Sequence, residues 1–100
     1  PSYNASKEAL DHLTRHLSIV MGDYGIRVNA IAPGPTHSDL DAGLPPSITQ
    51  FIDETMPMHR FGEPLEIGAL AVFLASPAAA QITGVVANHD GGTMCVGLTF

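Results

Sequence analysis

In the first third of the chain, hydrophobic residues recur first at the spacing of a helix and then in the alternation of a strand. Apolar residues recur mainly at spacings of three and four, at Leu10, Leu13, Leu17, Val20, Met21 and Tyr24. This spacing predicts an amphipathic helix, which Gly22 and Gly25 end. The run 26–32 then has an apolar residue at every even position, which predicts a strand, and Pro33-Gly34-Pro35 predict a sharp loop after it.

The rest of the chain predicts two more helices and a second strand. Residues 36–46 are rich in Ser, Asp, Gly and Pro and predict a loop, whereas helical spacing over 48–56 predicts a short helix that ends before Pro57. Another helix begins at Glu63-Pro64 and ends at Ser76-Pro77, and a strand follows over 85–89. Helices that alternate with short apolar strands predict an α/β fold with a parallel, buried sheet.

Composition indicates a globular protein without an anionic partner. The 100 residues are 45% hydrophobic and 14% charged, which is too apolar for a disordered chain. A formal net charge of -6 argues against nucleic acid and anionic membrane surfaces, because both bind clusters of Lys and Arg. Ile67 to His89 carries no charged residue, but Ser76-Pro77 and several polar residues interrupt it, so we expect no membrane span.

The cysteine and histidine content argues against a disulfide or a metal site. Cys95 is the single cysteine, so no internal disulfide can form, and we expect a reducing compartment, by default the cytoplasm. His12 and His16 lie four apart, but no glutamate between them completes a metalloprotease motif, and we predict no metal site. The chain begins with neither a methionine nor a targeting segment, which fits either processing of the N-terminus or a fragment of a longer protein.

Tyr3 and Lys7 are the first candidates for chemistry. They lie four residues apart at the start of the first predicted helix, which places them on one face, about 6 Å apart along the axis. A free phenol, with a pKa of about 10, is a poor base at neutral pH, whereas a nearby ammonium favours the phenolate. Tyr3 could therefore act as an acid/base assisted by Lys7. The same spacing also fits a structural pair, with a packed tyrosine and a solvated lysine.

The order of the motifs around this pair is more specific. Tyr3-Asn4-Ala5-Ser6-Lys7 precedes the strand that leads to Pro33-Gly34, and Arg60-Phe61-Gly62-Glu63-Pro64 and Asp90-Gly91-Gly92 follow in turn. This order resembles the C-terminal portion of a short-chain dehydrogenase/reductase over almost the whole chain. The resemblance implies a doubly wound, Rossmann-type parallel sheet that binds NAD or NADP, and hydride transfer between the nicotinamide and a carbonyl or secondary alcohol.

The resemblance also implies a role for each matching residue. Tyr3 is the general acid/base, and Lys7 lowers the tyrosine pKa and hydrogen-bonds the nicotinamide ribose. Pro33 and Gly34 approach the nicotinamide, and the backbone of Thr36 meets its carboxamide. Where the family often has a threonine that contacts the cofactor phosphates, this chain has Ser38, which keeps the hydroxyl group.

Two features of the family have no match in these residues. The Gly-rich turn that binds the pyrophosphate and the serine that polarises the substrate oxygen would both precede Pro1. We therefore expect 1–100 to be the C-terminal part of a single Rossmann-type domain that lacks its N-terminal dinucleotide-binding half and is inactive alone. The resemblance implies a homo-dimer or homo-tetramer. The alternative function is a truncated, non-catalytic interaction module that retains the subunit interfaces of the family.

Overall fold

The computed structural model describes residues 2–96, and it describes side chains from residue 5 onward. Four helices and two strands follow one another in these residues, with short 3-10 turns at Asp41–Gly43 and Pro77–Ala79. In chain order they are α1 (Ser2–Gly22), β1 (Ala30–Pro33), α2 (Pro46–Glu54), α3 (Pro64–Ala75), β2 (Val86–His89) and α4 (Thr93–Val96).

The two strands pair in parallel. The N–H of Ala30 donates to the carbonyl of Val85 at 2.9 Å, and the N–H of Gly34 donates to the carbonyl of His89 at 3.0 Å. Residue numbers rise together along both strands, which is the parallel pattern, and the connection between them carries α2 and α3. The predicted α/β arrangement with parallel strands is therefore confirmed.

β1 begins four residues later than the sequence predicts. Before Ala30, polar side chains make hydrogen bonds that the backbones of two paired strands would otherwise make. The N–H of Val28 donates to Thr83 Oγ1 at 3.0 Å, and Asn29 Oδ1 accepts the N–H of Val85 at 3.1 Å. β1 also includes Pro33, which the sequence placed in the turn. The N–H groups of even-numbered residues point to β2, so the missing N–H of Pro33 falls on the opposite side.

The helices differ from the sequence prediction mainly at their ends. α2 begins at Pro46 and ends at Glu54, two residues earlier at each end than predicted, since proline suits the first helical turn. α3 has the predicted bounds. α4 was not predicted: its four residues follow Asp90, whose Oδ1 and Oδ2 accept the N–H groups of Gly92 and Met94, each at 3.0 Å.

The chain divides into two compact units, and strands β1 and β2 run through both of them. The first unit comprises residues up to Ile31 together with Ala71–Ala87. In it, Arg27 Nη1 donates to the carbonyls of Leu74 at 2.7 Å and Ile82 at 3.2 Å, which holds the segment before β1. Much of the apolar surface of α1 in this unit is open, with Leu10 57% exposed and Leu13 48% exposed.

The second unit comprises Ala32–Leu70 together with residues from Asn88 onward. Its buried apolar side chains are Ala32, Ile52 and Met56. Gly34 and Asp90, which follow the two strands, approach each other closely in this unit. A Cβ atom on Gly34 would lie 2.6 Å from Asp90 Cβ and 2.8 Å from Asp90 Cα, so only glycine fits there without a backbone shift.

This close approach predicts the cost of a side chain at residue 34. In the full-length protein, Gly34→Ala should destabilise the fold by about 1–3 kcal/mol, because the new methyl group meets main-chain and Cβ atoms of Asp90. Gly43→Ala is the matched control, since nothing lies within 4 Å of a Cβ at that position, and its effect should stay within about 0.5 kcal/mol. Urea unfolding measures both variants, and equal stability of the two would contradict the packing at Gly34.

Candidate functional site

The predicted cofactor loop follows β1 and is held by a backbone bridge. Thr36 pairs in parallel with Gly62: the N–H of His37 donates to the Gly62 carbonyl at 2.9 Å, and the Gly62 N–H donates to the Pro35 carbonyl at 2.9 Å. In this pattern the backbone N–H and C=O of Thr36 point away from Gly62. No backbone hydrogen bond among the described residues uses either group.

The hydroxyl groups of this loop differ in their surroundings. Thr36 Oγ1 donates to the carbonyl of Gly34 at 2.9 Å, which fixes the threonine against the end of β1. Ser38 is exposed, and its Oγ accepts the N–H of Leu40 at 3.2 Å. The Ser38 hydroxyl proton therefore stays available to an acceptor such as a phosphate oxygen.

His37 lies between two carboxylates. Its Nδ1 is 2.6 Å from Asp41 Oδ2, and its Nε2 is 3.7 Å from Glu63 Oε1. Because an ionised carboxylate only accepts, Nδ1 must carry the proton that it donates to Asp41. The ring of Phe61 lies beside the imidazole, with 4.6 Å between the ring centroids.

Asp41 uses both carboxylate oxygens within the loop. Oδ2 accepts from His37, and Oδ1 accepts the backbone N–H of Ser38 at 3.0 Å. The hydrogen bond from His37, followed by the one from Ser38, holds the pKa of Asp41 below its ordinary value. The carboxylate is therefore the form that this loop conformation favours. This pair was not predicted, although a His and an Asp four residues apart are visible in the sequence.

A second ion pair holds the turn that contains Gly62. Arg60 Nη1 and Nη2 donate to Glu66 Oε1 at 3.0 Å and Oε2 at 2.8 Å, and Glu66 Oε1 also accepts the N–H of Glu63 at 2.8 Å. A glutamate in the first turn that bonds back to the residue before the helix is half of a capping box. A pocket of about 50 Å³ lies here, lined in part by Met56, Met58 and His89.

The predicted catalytic pair lies in the first unit, on α1. Tyr3 and Lys7 are one helical turn apart, as predicted, and Lys7 is half-buried. The predicted cofactor residues Pro33, Gly34, Thr36 and Ser38 lie in the second unit, at or after the end of β1. Their functional roles stay predictions.

The described residues, 2–96, form neither a membrane-spanning helix nor a metal-binding cluster. None of the helices formed by these residues is both long enough and apolar enough to cross a membrane. Within the same range, no group of three or more His, Cys, Asp and Glu side chains could hold a metal ion. His12 and His16 are exposed on α1, and Cys95 is a free, exposed thiol.

Several known proteins that are similar to this chain are dehydrogenases. The family model for enoyl-(acyl carrier protein) reductase matches residues 1–94. Galactitol 2-dehydrogenase (L-tagatose-forming) of Cereibacter sphaeroides is 46% identical over 94 residues, which cover 91% of this chain and 37% of that enzyme. The crystal structure of hydroxysteroid dehydrogenase from Escherichia coli superposes with a TM-score of 0.84 at 40% identity, over 91% of this chain and 38% of its own.

A further solved structure, 4-hydroxyisoleucine dehydrogenase complexed with NADH, superposes with a TM-score of 0.84 at 32% identity. The match covers 93% of this chain and 39% of that one. The chain therefore belongs to the short-chain dehydrogenase/reductase family, as the motif order predicted. Its two parallel strands and their helices are part of a Rossmann-type fold, and the predicted fold class is confirmed. The chain spans little more than a third of the length of these relatives.

The Arg60–Glu66 pair makes a prediction about titration. Hydrogen bonds from Arg60, and then from the Glu63 backbone, lower the pKa of Glu66 from 4.5 to about 2. Because the folded-state pKa is depressed, the stabilisation is complete above the ordinary carboxyl pKa and is lost as pH falls toward about 2. Arg60→Met should raise the Glu66 pKa toward 4.5, measured by NMR of its side-chain carboxyl carbon.

Arg15→Met provides the control, because it removes an equal charge from α1 without touching this pair. In the Arg15→Met variant the pKa of Glu66 should stay at about 2. A Glu66 pKa that is the same in the Arg60→Met variant and the wild type would contradict the ion pair in solution.

Proposed function

We propose that the full-length protein is an NAD(P)-dependent oxidoreductase that acts on a carbonyl or secondary alcohol. The observation that carries the proposal is the placement of Tyr3 and Lys7 one turn apart on α1, in a chain of this family. It is supported by the similarity to galactitol 2-dehydrogenase and hydroxysteroid dehydrogenase, and by a solved neighbour that contains NADH. The NAD or NADP preference and the substrate are properties of the whole protein.

The loop after β1 fits a nicotinamide in its donor and acceptor chemistry. A carboxamide offers both an N–H donor and a carbonyl acceptor, and the backbone of Thr36 presents one unused group of each kind. Gly34 and Pro33 precede it at the carboxyl end of a parallel strand, where ligands bind in open α/β sheets. The exposed Ser38 hydroxyl would hold a cofactor phosphate. When bound, NAD(P) supplies or accepts the hydride.

Tyr3 and Lys7 have separate roles in this proposal. Tyr3 donates a proton from its phenol to the substrate oxygen during reduction and accepts one during oxidation. The Lys7 ammonium stabilises the phenolate by its charge and also binds the nicotinamide ribose. It is the one lysine of the chain, so no second ammonium within residues 1–100 can replace it.

Residues 1–100 do not supply a complete site under this proposal. They contain no G-x-G-x-x-G sequence for the pyrophosphate, and we propose that they are inactive alone.

The open apolar residues of α1 and α3, such as Leu13 and Leu65, support coverage by further protein, in a homo-dimer or homo-tetramer. The free thiol of Cys95 fits a reducing, cytoplasmic compartment. No observation favours the alternative of a non-catalytic interaction module.

The proposal predicts a selective loss of turnover. Tyr3→Phe in the full-length protein should reduce kcat by about 100-fold or more while leaving the fold intact, because only the hydroxyl group that carries the transferable proton is lost. The absorbance of reduced nicotinamide reports turnover, with galactitol and a hydroxysteroid as first substrates because relatives are named for them. Tyr24→Phe is the matched control, since Tyr24 is the second of two tyrosines and is 75% exposed. Wild-type turnover in Tyr3→Phe would reject the catalytic role.

Lys7 should affect two quantities at once. Lys7→Met should lower kcat and also weaken NAD(P)H binding, because one ammonium serves both the tyrosine and the ribose. Fluorescence titration of the reduced cofactor measures the second effect separately from turnover. If neither quantity changes, Lys7 is a structural residue.

A further inference from the structure

The segment Thr36–Ser38 is held by more than its backbone bridge. Asp41 binds the side chain of His37 through one oxygen, at 2.6 Å, and the backbone N–H of Ser38 through the other, at 3.0 Å. The carboxylate thus fixes two consecutive residues from one side. The 3-10 turn that begins at Asp41 sets this spacing, and the N–H of Asp41 itself donates to the Ser38 carbonyl at 3.2 Å.

His37 connects the same segment to the start of α3. Its Nε2 faces Glu63, 3.7 Å away, in the residue directly before that helix, while Phe61 covers part of its ring. The charged groups that face the imidazole are therefore the Asp41 and Glu63 carboxylates. The imidazole joins the loop to the turn that already pairs with Thr36 through Gly62.

We propose that Asp41 and His37 are positioning residues that hold the Thr36–Ser38 segment in its cofactor-binding conformation before the cofactor arrives. This inference rests on the proposed function, because it assigns a purpose to the loop only if Thr36 and Ser38 bind NAD(P). The hydrogen bonds of Asp41 go to His37 and to the Ser38 N–H, and not to the Thr36 backbone or the Ser38 hydroxyl that would bind the cofactor. It acts by fixing the backbone at Ser38 and, through His37, the backbone beside Thr36.

Removal of Asp41 should therefore weaken cofactor binding and leave the rate of the chemical step unchanged. Without Asp41 the segment samples other conformations, and binding must order it again, which weakens the apparent affinity. The pair is partly exposed, so the effect should be modest, about threefold to tenfold in Kd. At saturating cofactor the segment is ordered by the ligand, and kcat should stay near the wild-type value.

The test compares Asp41→Ala with Asp39→Ala in the full-length protein. Asp39 is a matched control because it lies in the same loop, is exposed, and makes no hydrogen bond or ion pair with the residues that the structure describes. NADH and NADPH fluorescence titrations give Kd. Asp41→Ala should bind the preferred cofactor about threefold to tenfold more weakly than Asp39→Ala, with a raised cofactor KM and little change in kcat.

Hydrogen exchange of the cofactor-free protein gives a readout that does not depend on activity. The Ser38 amide should exchange faster in Asp41→Ala than in Asp39→Ala, because its acceptor has been removed. Asp41→Asn is the conservative variant: its amide oxygen can still accept from Ser38, and it should recover most of the protection. His37→Leu, alone and with Asp41→Ala, completes a double-mutant cycle in which the effects on Kd should not add.

The outcomes separate the two hypotheses. If the wild-type protein binds neither NADH nor NADPH, the proposed function fails and this inference fails with it. If the wild type binds the cofactor but Asp41→Ala and Asp39→Ala have equal Kd values, the proposed function stands and the positioning role is wrong. A lower kcat at saturating cofactor with unchanged Kd would also overturn the positioning role.

Discussion

The contact between Gly34 and Asp90 is the constraint on which the second unit depends. β1 and β2 end side by side, and the Gly34 N–H bonds to the His89 carbonyl directly before Asp90. The two residues are so close that a Cβ on Gly34 would lie 2.6 Å from Asp90 Cβ. Gly34 thereby fixes where the loop that carries Thr36 and Ser38 begins, and Asp90 fixes where α4 begins.

Two side-chain pairs then hold the backbone on both sides of the Thr36–Gly62 bridge. Asp41 and His37 hold the strand side, and Arg60 and Glu66 hold the turn side. Each carboxylate also accepts a backbone N–H, so each pair fixes main chain as well as side chain. Exposed ion pairs contribute little to global stability, and their effect here is on local conformation. An ordered loop with an unused Thr36 backbone is suited to binding a ligand that offers an amide.

The sequence predicted the elements that local chemistry determines. Helical spacing and the Gly22 and Pro64 boundaries located α1 and α3, and the order of motifs identified the family. The predicted start of β1 was wrong because the Asn29 side chain accepts the Val85 N–H. This contact is long-range and leaves no local signal in the sequence. α4 was missed because four residues are too few to show a hydrophobic period, although the Asp90 carboxylate accepts backbone N–H groups at its start.

In the candidate site too, the sequence predicted what local spacing determines and missed what depends on longer-range contacts. The positions of Tyr3 and Lys7 on one helix, and of Thr36 and Ser38 after a strand, follow from spacing and turn chemistry. The role of Asp41 depends on a 3-10 turn within a segment that composition identified only as a loop. The contact of His37 with Glu63 was not predicted, because the two residues are distant in sequence.

A structure of the full-length protein with bound NADH or NADPH would show whether Thr36, Lys7 and Tyr3 surround the nicotinamide. We expect the nicotinamide carboxamide to hydrogen-bond to the backbone of Thr36 and the Lys7 ammonium to contact the nicotinamide ribose. The Tyr3 hydroxyl should face the nicotinamide carbon that transfers the hydride. A cofactor bound away from Thr36 and Lys7, or no bound cofactor at saturating concentration, would contradict this arrangement.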